Sequence, residues 1–265
     1  MGLTHKSTGI KVYFEELQSE FSSTQAVIAL AGNPNTGKST VFNGLTGLNQ
    51  HTGNWPGKTV TLAKGFYKHK EKHITLVDLP GTYSLLANSV EEQVARDFIC
   101  FGEPDAVVVV ADATCLERNL NLTLQVMEIT PQVIMCLNLV DEAKRKNIQI
   151  DYGKLQRLLG IPVIPTIARN KEGLDDLKDS INTVVFCGKK LRPKIIQYDQ
   201  ELEKALNELE QDIDLSFITG FNNRWLSLRL LDGDFALMKK ILKYLGRTES
   251  QNKERNKYHE FNAES

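Results

Sequence analysis

The chain has 265 residues, 41% hydrophobic and 25% charged, and its 32 Lys and Arg nearly cancel 33 Asp and Glu to a net charge of −1. That length holds one sizeable domain and a smaller one, and the balanced charge excludes a nucleic-acid partner held by a global basic field. No apolar run approaches the roughly 18 residues of a membrane span, no signal-peptide core is recognisable, and Cys100, Cys115, Cys136 and Cys187 show no C-x-x-C spacing. A soluble protein of a reducing compartment is expected.

Residues 1–24 are polar, with one short amphipathic piece, YFEELQSEF, and read as an N-terminal extension. From Gln25 the runs AVIALAG, HITLVDL, AVVVVAD, VIMCLN and IPVIP alternate with helix-like segments. Continuous apolar runs are the mark of buried parallel strands, so residues 25–186 are expected to form an α/β domain with a mostly parallel sheet flanked by helices. VTLAKGFYK precedes HITLVDL across a short polar turn and reads as an antiparallel hairpin partner at one sheet edge. Past residue 186 the strand signal stops. In KIIQYDQELEKALNELEQDI, Ile195, Tyr198, Leu202, Ala205, Leu209 and Ile213 recur at helical spacing, and NRWLSLRLL and FALMKKILKYL follow, separated by Asp232-Gly233-Asp234. Residues 187–265 are therefore expected to be a small all-α domain with a charged tail from Arg247.

The first strand runs into G-x-x-x-x-G-K-S, from Gly32 to Ser39, and then into a helix, which is the context that gives this motif its meaning. Gly32 and Gly37 allow a tight backbone whose N–H groups cradle phosphates, Lys38 reaches the β and γ oxygens, and the Ser39 hydroxyl suits Mg²⁺. Asn33, Pro34, Asn35, Thr36 and Thr40 complete the candidate nucleotide loop.

VDLPGTYS then ends a strand with Asp78 and Gly81, a pair suited to sensing Mg²⁺ and a γ-phosphate. Many switch GTPases follow that Gly with a Gln that orients the attacking water; this chain has Thr82, too short for that role. Between the two motifs, HTGNWPGKTVT offers Thr59 or Thr61 to close over the metal, and Trp55 marks the loop as a mobile element. Asn138-x-x-Asp141 ends a later strand, and Thr166-Ile167-Ala168 ends the next. Guanine presents N1–H and an exocyclic amine side by side, which one carboxylate accepts together, and the Ala168 N–H is placed to meet guanine O6. GTP is therefore favoured over ATP. His5, His51, His69, His73 and His259 are scattered, with no two at metal-ligand spacing on a helix.

Together GNPNTGKST, HTGNWPGKTV, LVDLPGTYSL, SVEEQVARDF, DAVVVVADATCLERNL, NLVDEA and NRWLSLRLLDGD resemble the cytoplasmic N-terminal part of the bacterial ferrous iron transporter B (FeoB) family over most of residues 25–235. The resemblance implies a Ras-like P-loop GTPase followed by a helical domain that affects nucleotide release. A membrane-embedded Fe²⁺ transport domain of the same protein would follow, placing this part at the cytoplasmic face of the bacterial inner membrane, with small Feo accessory proteins as partners and a homo-oligomer open. Within the switch loop it selects Thr59 and implies that Gly57 and Thr59 contact the nucleotide. It also implies that Asn35, with the carbonyls of Gly53 and Trp55, holds a K⁺ in the place of an arginine finger, so that K⁺ stimulates hydrolysis. Lys38, Asn35, Thr59 and Gly81 are then the catalytic set, and Ser39, Thr59 and Asp78 the Mg²⁺ set. The chain departs from the family at Lys58 and in Arg169-Asn170-Lys171-Glu172, and Leu139 stands where common GTPases have Lys. Two rivals remain. One is a ribosome-associated GTPase, disfavoured by the acidic run Glu201, Glu203, Glu208, Glu210, Asp212 and Asp214; the other is a binding switch with little turnover.

Overall fold

The computed structural model describes residues 25–47, 50–54, 60–86, 88–188, 190–212 and 221–246, with backbone alone at 50–54. The N-terminal extension, the loop with Trp55, Gly57, Lys58 and Thr59, and the charged tail lie outside the described residues.

Seven strands form one sheet in the order β2-β3-β4-β1-β5-β6-β7. They are β1 (Ala26–Gly32), β2 (Gln50–Asn54), β3 (Thr61–His69), β4 (Lys72–Asp78), β5 (Ala106–Asp112), β6 (Val133–Asn138) and β7 (Val163–Pro165). β4, β1, β5, β6 and β7 run parallel, while β3 pairs antiparallel with β4. The expected hairpin is present, but its outer strand is not the edge. β2 pairs antiparallel beyond it, Gly53 opposite Leu62 and Asn54 opposite Thr61. QHTGN carries no apolar signal because an antiparallel edge is held by backbone hydrogen bonds and needs no buried face.

The central strands read as continuous apolar runs because both sheet faces are covered; β5 is buried from Ala106 through Ala111. On one face α1 (Lys38–Thr46) brings Val41, Phe42 and Leu45, and α6 (Leu174–Phe186) brings Leu177, Ile181 and Val184, against Ile28, Leu30, Val108 and Val110. α2 (Val90–Phe101) buries Val94 and Phe98, and α3 (Leu116–Ile129), which packs against β5, buries Leu122 and Val126. Two short helices complete this unit: α4 (Val140–Arg145) after β6, and α5 (Tyr152–Leu159) before β7. α2 starts where its sequence directs: the Ser89 hydroxyl accepts the Glu92 N–H at 3.1 Å, and acidic Glu91 and Glu92 occupy the first turn.

The chain divides into two compact units, Met1–Ile195 and Ile196–Ser265. Residues beyond α6 still return to the first, the Lys194 N–H donating to the Leu159 carbonyl at 2.8 Å. The second unit contains α7 (Gln200–Asp212), α8 (Asn223–Leu231) and a helical run over 235–246. Helical spacing from Ile195 overstates α7. Pro193 removes a donor from the approach, and the helix begins only where Asp199 Oδ1 accepts the Leu202 N–H at 2.8 Å. Ile195 is 68% exposed, whereas Leu206 of α7 is fully buried. Arg224, half-buried, joins the helices by donating to Glu203 Oε1 at 2.6 Å and to the Ile196 carbonyl at 3.1 Å.

Candidate nucleotide-binding site

The parallel strands β1, β4, β5 and β6 end at one rim of the sheet, where Gly32, Asp78, Asp112 and Asn138 are their last residues. Crevices outside the carboxyl ends of such strands are where α/β sheets bind ligands.

The phosphate loop is built from backbone. Asn35 (φ 65°) and Gly37 (φ 79°) both adopt the left-handed region, turning the chain sharply before α1. Asn tolerates that region and Gly enters it freely. The loop also fits closely against its neighbours. A Cβ on Gly32 would lie 2.7 Å from the Val110 carbonyl oxygen, and one on Gly37 would lie 2.4 Å from Asn138 Nδ2. Inside the turn the Thr36 hydroxyl donates to the Asn33 carbonyl at 3.0 Å. The Asn33 carboxamide is buried, and neither of its polar atoms has a partner among the described residues. Ser39, Thr40 and Asn35 are exposed.

Asp78 and Gly81 arrive from the end of β4. The Leu79 N–H donates to the Leu30 carbonyl at 3.0 Å and the Thr82 N–H to the Gly32 carbonyl at 3.1 Å, so this segment runs beside the phosphate loop. A Cβ on Gly81 would fill the space against Pro34, 3.4 Å from its Cα. Lys38 Nζ donates to the Asp78 carboxylate and, at 2.6 Å, to the Leu79 carbonyl. Burial pushes the Asp78 carboxyl above the ordinary Asp range, and the Lys38 ammonium partly opposes that shift. The Thr82 side chain is buried, its hydroxyl donating to the Ser84 carbonyl at 2.7 Å. From α3, Gln125 Oε1 accepts the Leu85 N–H at 2.7 Å.

The far end of the crevice is built from side chains. Buried Asn138 donates through Nδ2 to the Thr36 carbonyl at 3.0 Å. Its Oδ1 accepts the Ala168 N–H at 3.1 Å and the Thr166 hydroxyl at 3.2 Å. One carboxamide thus ties the phosphate loop to a 3₁₀ turn over Ala168–Asn170. Leu139, in the left-handed region at φ 62°, opens α4 and presents Asp141 in its first turn. Asp141 Oδ2 accepts from Arg169, while Oδ1 is buried with no partner among the described residues.

The structure therefore brings Gly32, Asn33, Pro34, Asn35, Thr36, Gly37, Lys38, Ser39, Thr40, Asp78 and Gly81 to one side, and Asn138, Asp141, Thr166 and Ala168 to the other. Thr61 opens β3 opposite Asn54, and Gly53 lies in β2. Trp55, Gly57 and Thr59 are outside the described residues. Sequence reasoning assigned no partner to Gln125 or Arg169, whose contacts lie 40 and 28 positions away in the chain; only the unusual residues at 169–172 hinted at the second. Among the described residues no three His, Cys, Asp or Glu side chains form a metal-binding group, and no helix is long and apolar enough to cross a membrane.

A family model described as ferrous iron transport protein B matches residues 26–181, and one described as FeoB cytosolic helical domain matches residues 198–264. The Fe(2+) transporter FeoB of Escherichia coli (strain K12) is 40% identical over 215 residues, covering 78% of this chain and 27% of the transporter. An Fe(2+) transport protein A/Fe(2+) transporter FeoB fusion protein of Porphyromonas gingivalis is 39% identical over 211 residues, covering 78% and 25%. The chain thus spans about a quarter of the length of these relatives. The cytosolic domain of T. maritima FeoB in GMPPNP form is similar at 38% identity and TM-score 0.74, covering 83% of this chain and 86% of that one. A GDP form of the same domain matches at 37% identity and TM-score 0.74, with the same coverage.

Proposed function

The chain belongs to the ferrous iron transport protein B family, and from that premise we propose that it is the GTP-binding and GTP-hydrolysing module of a ferrous iron uptake transporter. The observation that carries this reading is the Asn138 junction. It joins a phosphate-type loop to a loop beside a buried acceptor, Asp141 Oδ1, that has no partner among the described residues. Guanine offers such a carboxylate two adjacent donors, and adenine offers no such pair. The GDP and GMPPNP forms of the T. maritima domain support nucleotide binding here.

In this reading residues 25–186 turn over GTP, and residues 187–265 modulate nucleotide release and lead toward the membrane part. The remaining length of the relatives corresponds to a membrane-embedded Fe²⁺ transport domain of the same protein, with this part at the cytoplasmic face of the inner membrane. The P. gingivalis fusion supports a small Feo accessory protein as a partner.

The residues present suit the chemistry. Ser39 on the first turn of α1 and Asp78 at the end of β4 are hard oxygen donors of the kind Mg²⁺ takes, with Thr59 as the third. When bound, Mg²⁺ neutralises charge on the β and γ oxygens. Lys38 exchanges its contacts with Asp78 and the Leu79 carbonyl for phosphate oxygens. The N–H groups of the loop and of the α1 N-terminus hold the phosphates, and the Gly81 N–H meets the terminal one. No side chain at position 82 orients water, because the Thr82 hydroxyl is engaged by Ser84; backbone groups take that role. Asn35, exposed at the turn, would hold K⁺ together with the carbonyls of Gly53 and Trp55, and the ion would supply positive charge to the transition state.

Multiple-turnover phosphate release in KCl and in NaCl, with ATP as competitor, tests the reading. GTP turnover is expected to be faster in KCl and insensitive to ATP. Equal rates in the two salts, or a K⁺ response that survives Asn35→Ala, would refute the role of K⁺. Inhibition by equimolar ATP would refute guanine selectivity.

A further inference from the structure

Asp141 is the group expected to accept both guanine donors, yet nothing in its own segment holds its carboxylate plane. The terminal torsion of Asp is broad and roughly two-fold, so a freely turning carboxylate meets N1–H and the exocyclic amine together only part of the time. In this chain an arginine from a different loop grips it. Arg169 donates to Asp141 Oδ2 and holds Glu142 Oε1 at 3.6 Å through its other terminal nitrogen. Arg145 approaches the same Glu142 oxygen from within α4, so the acidic pair at the start of α4 is bridged on its outer side.

Arg169 is itself anchored. It is the middle residue of the 3₁₀ turn whose first residue, Ala168, donates its N–H to Asn138 Oδ1. The next left-handed residue, Lys171 at φ 63°, closes that turn with an N–H donated to the Ala168 carbonyl at 3.1 Å. The guanidinium therefore reaches Asp141 from a backbone already tied to β6. It engages one carboxylate oxygen, Oδ2, and leaves the buried Oδ1 without a partner among the described residues.

Resting on the guanine reading above, we propose that Arg169 is a positioning residue for guanine specificity. It fixes the Asp141 carboxylate so that both oxygens present lone pairs to the base, and thereby sets the discrimination between a 2-amino purine and one lacking that amine. A planar guanidinium fixes a carboxylate plane; a lysine ammonium at the same place supplies charge without that constraint. The Arg169 side chain is 59% exposed, and surface ion pairs contribute little to stability, so its removal leaves the fold intact.

The test is competition of GDP, IDP and ADP against a ribose-labelled GDP, in Mg²⁺, for the wild-type chain, Arg169→Ala and Arg169→Lys. Losing a hydrogen bond to a charged acceptor is expected to make IDP bind on the order of tenfold more weakly than GDP to the wild-type chain. Arg169→Ala is expected to shrink that GDP/IDP ratio about threefold or more, with Arg169→Lys restoring it only in part. A general loosening of the loop would weaken GDP and IDP by the same factor and leave the ratio unchanged. That outcome, or an unaltered GDP affinity and ratio in Arg169→Ala, overturns the proposal. A wild-type chain that binds ADP as well as GDP overturns the guanine reading and this inference with it. A wild-type preference for GDP with an unchanged ratio in Arg169→Ala overturns this inference alone.

Discussion

The two ends of the crevice are made in different ways. At the proposed phosphate end the candidate groups are backbone N–H groups shaped by two left-handed residues, with Lys38 and Asp78 as the charged side chains. At the proposed base end the structure gathers side chains, Asn138, Thr166, Asp141 and Arg169, from segments about 30 residues apart. The reason lies in the ligand. Phosphates offer diffuse charge that a curved backbone and a helix terminus can meet without sequence-specific groups. A base edge must be read by donors and acceptors of fixed direction, which side chains held by other side chains, and a backbone N–H oriented by them, provide. Asn138 belongs to both ends, since its carboxamide bonds the Thr36 carbonyl on one side and the Ala168 N–H on the other.

The sharpest way to break that contrast is Gly37→Ala. It forces a left-handed alanine and drives a methyl group into Asn138 Nδ2. Strain and the lost carboxamide bond together come to about 2–3 kcal/mol, or on the order of a hundredfold in affinity for GDP and GTP alike. Fluorescent nucleotide titration checks this, and a variant that still binds normally would mean the loop is not backbone-limited.

Asp78→Asn separates the proposed metal role of this carboxylate from its cost to the fold. Mg²⁺-dependent turnover is expected to fall by about two orders of magnitude. The stability effect has the opposite sign. Burial raises the Asp78 pKa, so the folded chain binds this proton more tightly than the unfolded chain. Its stabilising share is complete below the ordinary Asp range and is lost as pH rises through the raised folded pKa. Thermal melts without nucleotide should show that pH slope in the wild-type chain and a flatter one in Asp78→Asn, with the variant no less stable at neutral pH.

Asn138→Ala acts on both ends at once. It strands the Thr36 carbonyl and the Ala168 N–H, which predicts a stability loss of about 2–4 kcal/mol in denaturant melts. Nucleotide affinity should fall about tenfold, for triphosphate and diphosphate equally. Damage confined to the base would show as lost guanine preference at unchanged stability, and would refute the junction role. The smallest effect belongs to Thr82→Ala. It removes only the hydroxyl turn to Ser84, so turnover is expected to stay within about threefold of wild type with a stability loss of about 1 kcal/mol. A tenfold drop in turnover would overturn the exclusion of Thr82 from the catalytic set.

The same contrast explains what was legible in the residues. The phosphate loop lies within eight consecutive positions, because a backbone curve needs its glycines at set intervals along one segment. The proposed base end left two short marks, Asn138-x-x-Asp141 and Thr166-Ile167-Ala168, which the fold brings together and whose mutual bonds the sequence did not show. Arg169 looked only like a departure from family habit, since its grip on Asp141 spans 28 positions.

By itself the sequence determined the parallel core and the phosphate loop. A strand covered on both faces must be apolar at every position, and a phosphate cradle must place Gly where the backbone turns left-handed; both demands are local. Only the tertiary structure decided that β2 extends the sheet beyond the expected hairpin, that Leu206 rather than Ile195 fills the core of the helical unit, and that Asn138 joins the two loops. An edge strand is held by backbone bonds that any residues can make, and helical spacing marks a face without saying what covers it. A carboxamide acquires its role only when folding brings distant partners within about 3 Å of it.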